Sequence, residues 1–276
     1  MLEEDFTSFD GLRIHMRSWQ PAKAPRGIVA ICPGVNAHSG HYVWTAESLT
    51  ARGFSVFAVD LRGRGKSEGT RFYVEDIAEY VADLGGLIEI AKTRHPELPV
   101  YLLGHSAGGV VACTYALDHQ DEIDGLICES FAFQVPAPGF VLSAIKGLSH
   151  VAPHLGVLTL HMKDFTRDAE ALAALEADPL TKGETQPAAT MAALVRADER
   201  LHESLGAITL PILILHGTAD KATVLGGSEF FYAHAGSADK TLKLYHGHYH
   251  DLLNDIGKEG VITRCLAKTA PANRPC

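Results

Sequence analysis

The chain has 276 residues, 46% of them apolar, and a formal net charge of -9. That length suits one large domain, or one domain carrying an insertion, with ample side chain for a core. The acidic balance argues against a general affinity for nucleic acid or anionic lipid surfaces.

In chain order, the pattern first predicts a β-hairpin: Asp5–Phe9, a turn at Asp10-Gly11, then Leu12–Trp19. Runs that are apolar throughout follow at Gly27–Cys32, Phe54–Val59, Val100–Leu103, Gly125–Cys128, Ile212–Leu215 and Thr241–Tyr245. Continuous rather than alternating hydrophobicity suits strands covered on both faces. Between them lie helical patterns at Tyr42–Arg52, Val74–Arg94, Ala107–Asp118, Gly226–Ala235 and His250–Lys268. Alternation of this kind predicts an α/β class: a mostly parallel central sheet flanked by helices. From Phe131 to about Ile208 no strand is legible. Pro136, Pro138, Pro153 and Pro179 break this stretch into helical pieces, Phe140–Leu148, Arg167–Glu176 and Ala188–Leu205. The expected organisation is a core of residues 1–130 and 209–270, a helical cap or lid of residues 131–208, and a tail of residues 271–276.

The stretch Val100–Ala112 carries the chemistry. A strand runs into Gly104-His105-Ser106-Ala107-Gly108, and an Ala/Gly-rich helical pattern follows. A nucleophile elbow needs this context, because a sharp strand-to-helix turn exposes the serine hydroxyl beside free helix N–H groups. Ser106 is the candidate nucleophile. A serine hydroxyl needs a base, and the base needs a carboxylate to orient it. Asp220 ends the turn after the run Ile212–Leu215 and is the acid candidate; Asp239 stands at the wrong end of its strand. After Thr241–Tyr245 come His246, His248 and His250. His250, where a helix is expected to begin with Leu252, Leu253 and Ile256 as its apolar face, is preferred as base. Two N–H donors must meet the developing oxyanion. Ala107, after the nucleophile, is one, and Val35, in the Gly34-containing loop after the run Gly27–Cys32, is the other.

These residues resemble the monoacylglycerol lipase group of α/β-hydrolases, grouped with lysophospholipases and serine aminopeptidases. The likeness rests on His38–Tyr42, Asp60–Gly69, Leu103–Gly109, Leu215–Asp220, Asp239–Leu242 and Tyr249–Asn254, and it runs from about Phe9 to Leu266. It implies an α/β-hydrolase fold, catalytic roles for Ser106, Asp220 and His250, oxyanion donors at Val35 and Ala107, and a cap from the central insertion. The chain departs from the family's usual oxyanion loop. Pro33, Asn36, Ala37 and His41 replace the expected His, Gly, Glu and Arg, and Ala107 replaces a common Met. Backbone donors survive these changes, but a charged Glu and Arg would suit a polar alcohol such as glycerol.

Other signals are weaker. Gly65-Lys66-Ser67 ends like a phosphate-binding loop, yet Asp60 stands where that motif's first glycine belongs. The alternating His246, His248 and His250 suggest zinc, but Gly247 interrupts them and no second ligand cluster is evident. Cys32, Cys113, Cys128, Cys265 and Cys276 lack CxxC spacing and read as buried reduced thiols. The N-terminus lacks a signal-peptide pattern, and no apolar run reaches the ~18 residues of a membrane span.

The expectation is a cytoplasmic serine esterase that needs no cofactor or metal. Its partner is a small-molecule ester with an apolar acyl part, with no nucleic acid and with transient lipid contact through the cap. Two alternatives stay open: an amidase or peptidase using the same residues, and a non-catalytic binding protein on the same fold.

Overall fold

The computed structural model describes residues 1–268. The expected tail and Cys276 lie outside the described residues. The strands are β1 (Leu2–Thr7), β2 (Arg13–Trp19), β3 (Gly27–Cys32), β4 (Phe54–Val59), β5 (Val100–His105), β6 (Gly125–Glu129), β7 (Gly156–Leu158), β8 (Gln186–Pro187), β9 (Ile212–Gly217) and β10 (Lys240–Tyr245). The α-helices are α1 (Val43–Thr50), α2 (Ile77–Arg94), α3 (Ala107–His119), α4 (Gly139–Val151), α5 (Ala169–Ala177), α6 (Ala188–Ser204), α7 (Leu225–His234) and α8 (Lys258–Lys268).

Eight of these strands form one sheet in the order β1-β2-β4-β3-β5-β6-β9-β10. The β1–β2 and β2–β4 pairs are antiparallel and the rest are parallel. Every residue of β3, β4, β5, β6 and β9 is buried, as continuous apolar runs require. Successive side chains leave opposite faces of the sheet. Ile28, Leu102, Leu126 and Ile212 therefore pack with Leu84, Leu87 and Val111 of α2 and α3. Val29, Leu103, Ile127 and Leu213 pack on the other face with Leu49 of α1 and Val261 of α8. In open α/β sheets, ligands gather at the C-terminal ends of the parallel strands.

Several expected elements end elsewhere. The first strand is Leu2–Thr7, not Asp5–Phe9, because Ser8 turns inward to give its hydroxyl to Asp83 at 2.7 Å. The helix expected from Val74 starts at Ile77, where Asp76 and Glu79 form a reciprocal capping box. The helix expected from Tyr42 is preceded by a tight 3-10 turn, Ser39–Tyr42. The largest error concerns His250–Lys268, where only Lys258–Lys268 is helical. Leu252 and Leu253 are buried, but Ile256 is 57% exposed. The intervening loop is held by the Asp255 carboxylate, which accepts from Tyr249 and Arg167, and it turns at Gly257 with φ 92°. Residues 131–208 add no strand to the main sheet, but they are not strandless: β7 and β8 pair antiparallel in a small sheet of their own.

Candidate active site

Ser106 sits between β5 and α3 with φ 54° and ψ -122°. Side chains other than glycine, asparagine and aspartate avoid positive φ, so the surroundings must impose it. Three bonds do so: Ser106 N donates to Glu129 O at 2.9 Å, and Ser106 O accepts from Gly109 N at 2.9 Å and Ala132 N at 3.2 Å. Gly108 is required because a Cβ there would collide with the carbonyls of Cys32 and Pro33. Asn36 (φ 56°) and Ser130 (φ 47°) also adopt positive φ, just beyond the ends of β3 and β6. These two residues thus flank Ser106 along one rim of the sheet, while a further one, Phe72 (φ 60°), lies in the loop between β4 and α2.

Asp220 follows β9 and is almost fully buried. One carboxylate oxygen accepts the N–H groups of Ala222 (2.8 Å) and Thr223 (3.0 Å). The other meets the Thr223 hydroxyl and His250 Nδ1, each at 2.8 Å. Burial pushes the Asp220 carboxyl up, but His250 and the Thr223 donors outweigh it and hold it down to about 2. The carboxylate is therefore ionised at neutral pH and fixes the ring through Nδ1. Nε2 of His250 is buried without a protein partner among the described residues. Phe165 packs edge-on against the ring, 4.7 Å between centroids. The rival histidines go elsewhere: His246 lies 3.5 Å from the Thr218 hydroxyl, and His248 lies 3.4 Å from Asp255.

The loop after β3 brings Gly34 against the serine. A Cβ on Gly34 would stand 3.0 Å from Ser106 Cβ and 3.6 Å from Oγ. The N–H groups of Val35 and Ala107 donate to no protein acceptor among the described residues. The next N–H, of Asn36, donates to Glu184 at 3.0 Å.

Several residues that sequence reasoning did not single out surround this centre. His216 lies behind Asp220, bonded to Ser228 at 2.8 Å, and burial pushes its ring down to about 4. Arg64, fully buried, pairs with Glu184 and donates to Gln186 at 2.9 Å, while Gln186 donates to Asn36 at 3.0 Å. His38 Nε2 and His41 Nε2 both reach one oxygen of Asp178, at 2.8 and 2.9 Å. That donor set is of metal-ligating type. However, His38 Nδ1 accepts the Gly40 N–H at 3.0 Å, so its hydrogen is on Nε2 and the trio acts as a hydrogen-bonded latch. Of this group, His38 and His41 had drawn notice as part of the loop after β3, and Asp178 had not. The partners lie up to 140 positions apart, beyond any local pattern.

A family described as serine aminopeptidase, S33, matches residues 23–257. A monoacylglycerol lipase of Mycolicibacterium smegmatis is 32% identical over 92% of this chain and 91% of its own length. A monoglyceride lipase of Homo sapiens is 32% identical over 90% of this chain and 82% of its own. The crystal structure of Paleococcus ferrophilus monoacylglycerol lipase superposes with a TM-score of 0.83 at 27% identity, covering 93% of this chain and 99% of that one. The sheet order, the serine on its strained turn and these relatives converge: the chain belongs to the serine aminopeptidase S33 family of α/β-hydrolases, in its monoacylglycerol lipase-like group, and is a serine ester hydrolase.

Proposed function

We propose that Ser106 is the nucleophile, His250 the base and Asp220 its orienting carboxylate, with Val35 and Ala107 as oxyanion donors. The observation that carries this reading is the His250 ring: Nδ1 is held by Asp220 at 2.8 Å and Nε2 is left without a protein partner. Neutral His250 takes the Ser106 proton on Nε2 as Oγ attacks the ester carbonyl. The carbonyl oxygen becomes an anion facing the two N–H groups. Its collapse expels the alcohol, which takes the proton from Nε2, and leaves the acyl group on Oγ. Water, deprotonated by His250, then releases the carboxylic acid and restores the serine. Ser106→Ala should lose several orders of magnitude in kcat with the fold intact. A fluorophosphonate probe should label Ser106 alone, and labelling at any other residue overturns the assignment.

Residues 131–208 serve in this reading as a cap, and the substrate is a small or medium ester with an apolar acyl group. A cleft of about 700 Å³ lies between α4 and α6, lined by the apolar Phe133, Val135, Leu142, Val195 and Val224 together with the polar Asp198, Glu199, His202 and Glu203 of α6. Phe133 and Val224 directly follow Ala132 and Thr223, which bond Ser106 and Asp220. Leu142 lines the cleft, whereas Phe140 is 77% exposed and takes no part. Each methylene buried there adds roughly 0.8 kcal/mol at best. On the alcohol side Ala37 brings no charge, and His41 is committed to Asp178. A glycerol hydroxyl buried without partners costs ~1–3 kcal/mol.

Simple alkyl esters should accordingly be hydrolysed at least as well as monoacylglycerols of equal acyl length. The relatives' names favour a second reading, monoacylglycerol hydrolysis. Comparing kcat/KM for a glyceryl ester and its methyl counterpart separates them. A preference of about a hundredfold for the glyceryl ester, some 2.7 kcal/mol, establishes the second. We place the enzyme in the cytoplasm, because Cys32, Cys113, Cys128 and Cys265 are free and buried. Among the described residues no helix is long and apolar enough to cross a membrane.

A further inference from the structure

Beneath the proposed triad lies a second polar cluster, made by three residues that the reaction as written does not use. His105 precedes Ser106, Asp251 follows His250, and Glu129 ends β6, the strand beside β5. One ring nitrogen of His105 and one oxygen each of Glu129 and Asp251 lie within 4.8 Å of one another. All three residues are at most 5% exposed. His105 Nε2, Glu129 Oε2 and Asp251 Oδ1 have no protein partner among the described residues. Buried polar atoms of this kind are normally satisfied. One orphaned atom on each residue of so tight a buried group points to a shared partner.

The remaining bonds say what that partner sees. The buried Tyr42 hydroxyl lies 2.9 Å from His105 Nδ1 and also has the backbone N–H of Gly34 beside it. A hydroxyl that takes the Gly34 N–H on its oxygen gives its own hydrogen to His105 Nδ1, so the hydrogen of neutral His105 is on Nε2. Burial pushes this ring down to about 4, which keeps it neutral. Glu129 Oε1 accepts the backbone N–H of Leu253 at 3.1 Å. Asp251 Oδ2 accepts from Asn254 at 3.0 Å, and Asn254 also reaches the carbonyl of His41 at 3.3 Å. No Lys or Arg pairs with either carboxyl among the described residues. Two carboxylates this close in a buried site cannot both ionise without a cation or a proton between them. Three atoms within 4.8 Å of one another all lie within about 2.8 Å of a common centre, the hydrogen-bonding reach of one water.

We propose that Glu129 is a positioning residue for ester hydrolysis. As an un-ionised acid it donates through one bound water to the Asp251 carboxylate, and so fixes the loop that carries His250 against the strand end that carries Ser106. The inference rests on the reading of His250 as the base. Burial, and then the Asp251 charge, push the Glu129 carboxyl well above its ordinary range; the Leu253 and Leu252 N–H groups oppose them without prevailing. The other titratable groups around it are Asp220 after β9, Tyr245 on β10, Cys265 on α8, Tyr42 and His105, none of them cationic. His105 donates to the same water through Nε2. Its Nδ1 holds Tyr42, at the start of α1. One water thus reaches the neighbours of both the nucleophile and the base.

The test compares Glu129→Gln, whose amide keeps a donor and an acceptor, with Glu129→Met, which keeps neither. Glu129→Met should lose about a hundredfold in kcat with little change in KM, as expected when reacting groups are misplaced rather than substrate lost. Glu129→Gln should recover most of that loss and keep the wild-type pH profile. The infrared spectrum of the wild-type enzyme at neutral pH should show a buried un-ionised carboxyl band that Glu129→Gln removes. The band is read without substrate, so it stands even if His250 proves not to be the base, and it decides the matter if Glu129→Met does not fold. Absence of the band overturns the proposal. So does a Glu129→Gln variant as weak as Glu129→Met, with its acidic limb moved to lower pH, because Glu129 would then be acting as a charge. Loss of activity on chelation, restored by a divalent cation, would place an ion at the cluster instead and equally overturn it.

Discussion

The two halves of the segment between β6 and β9 are built on different principles. In the first half, α4 has no fully buried residue, and Phe140 and Val151 stand 77% and 80% exposed. It meets α6 through half-buried apolar side chains and one surface ion pair, Lys146–Glu199. The second half is tied down by polar groups that reach the rim of the sheet. Arg167 N donates to Asp255 at 2.7 Å, Asp178 holds His38 and His41, and Glu184 and Gln186 hold Asn36 and Arg64. A non-directional apolar contact tolerates sliding, whereas a buried ion pair has one satisfactory geometry. The half built on charge therefore fixes the proposed oxyanion loop and base loop. In the proposed function the apolar half is left to shape the space for the acyl group.

The largest effect should come from cutting the charged half. Glu184→Ala leaves the Arg64 guanidinium buried without its carboxylate and removes the acceptor of Asn36 N–H. Breaking such a pair costs about 3–5 kcal/mol, read as a fall in the unfolding free energy. kcat/KM should fall with it, through loss of kcat. Retention of full kcat would show that the Val35 loop holds its shape without Glu184. Leu142→Ala, in the other half, should cost no more than about 1 kcal/mol of stability. It should raise KM for longer acyl chains while sparing kcat. If both variants lost kcat alike, the contrast between the halves would fail.

A smaller, graded effect should follow acidification. His105 and His216 are buried neutral, with rings pushed by burial down to about 4, and burial also lowers His41. Unfolding frees these rings to bind protons below their ordinary value of 6.5. Their contribution to stability is therefore complete above about pH 6.5 and is lost as pH falls toward 4. For His105 and His216 the loss is a few kcal/mol each at the acid end, on the order of 1.4 kcal/mol per pH unit. Asp178 runs later: burial raises it, but His38, Leu180 N and His41 bring it down to about 2, so its share is lost only below about pH 4. Urea unfolding at pH 7, 5 and 4 reads the sequence of losses. A stability that stayed flat from 7 to 4 would show that the buried histidines titrate together in the folded and unfolded chains.

Much of the sheet and of the candidate site was legible because it is written locally. Gly104–Gly108 sits between a strand pattern and a helix pattern, and Asp220 and His250 sit at the ends of later strand patterns. The rest depends on contacts between distant positions. The Arg64–Glu184 pair spans 120 positions and the Glu129–Leu253 bond spans 124, so neither leaves a periodic trace. His250 was preferred as the base for a partly mistaken reason. Its loop looked like a helix start because Leu252 and Leu253 are apolar, yet they are core plugs in an irregular turn anchored by Asp255. The β7–β8 pair was missed because its strands span only three and two residues.

The positive φ values at Asn36, Ser106 and Ser130 carry a consequence in terms of selection. Each such conformation costs on the order of 1–3 kcal/mol for a residue with a side chain, less for asparagine, and a glycine would relieve it. The sequence keeps side chains at all three positions, along the one rim where the serine must present its hydroxyl. A lineage selected for robustness alone could discard this strain by single replacements. In the proposed mechanism the same replacement at position 106 would end the reaction. The chain is thus held away from its most stable form by its chemistry, and copies freed from that chemistry have an easy path toward sturdier, inert scaffolds.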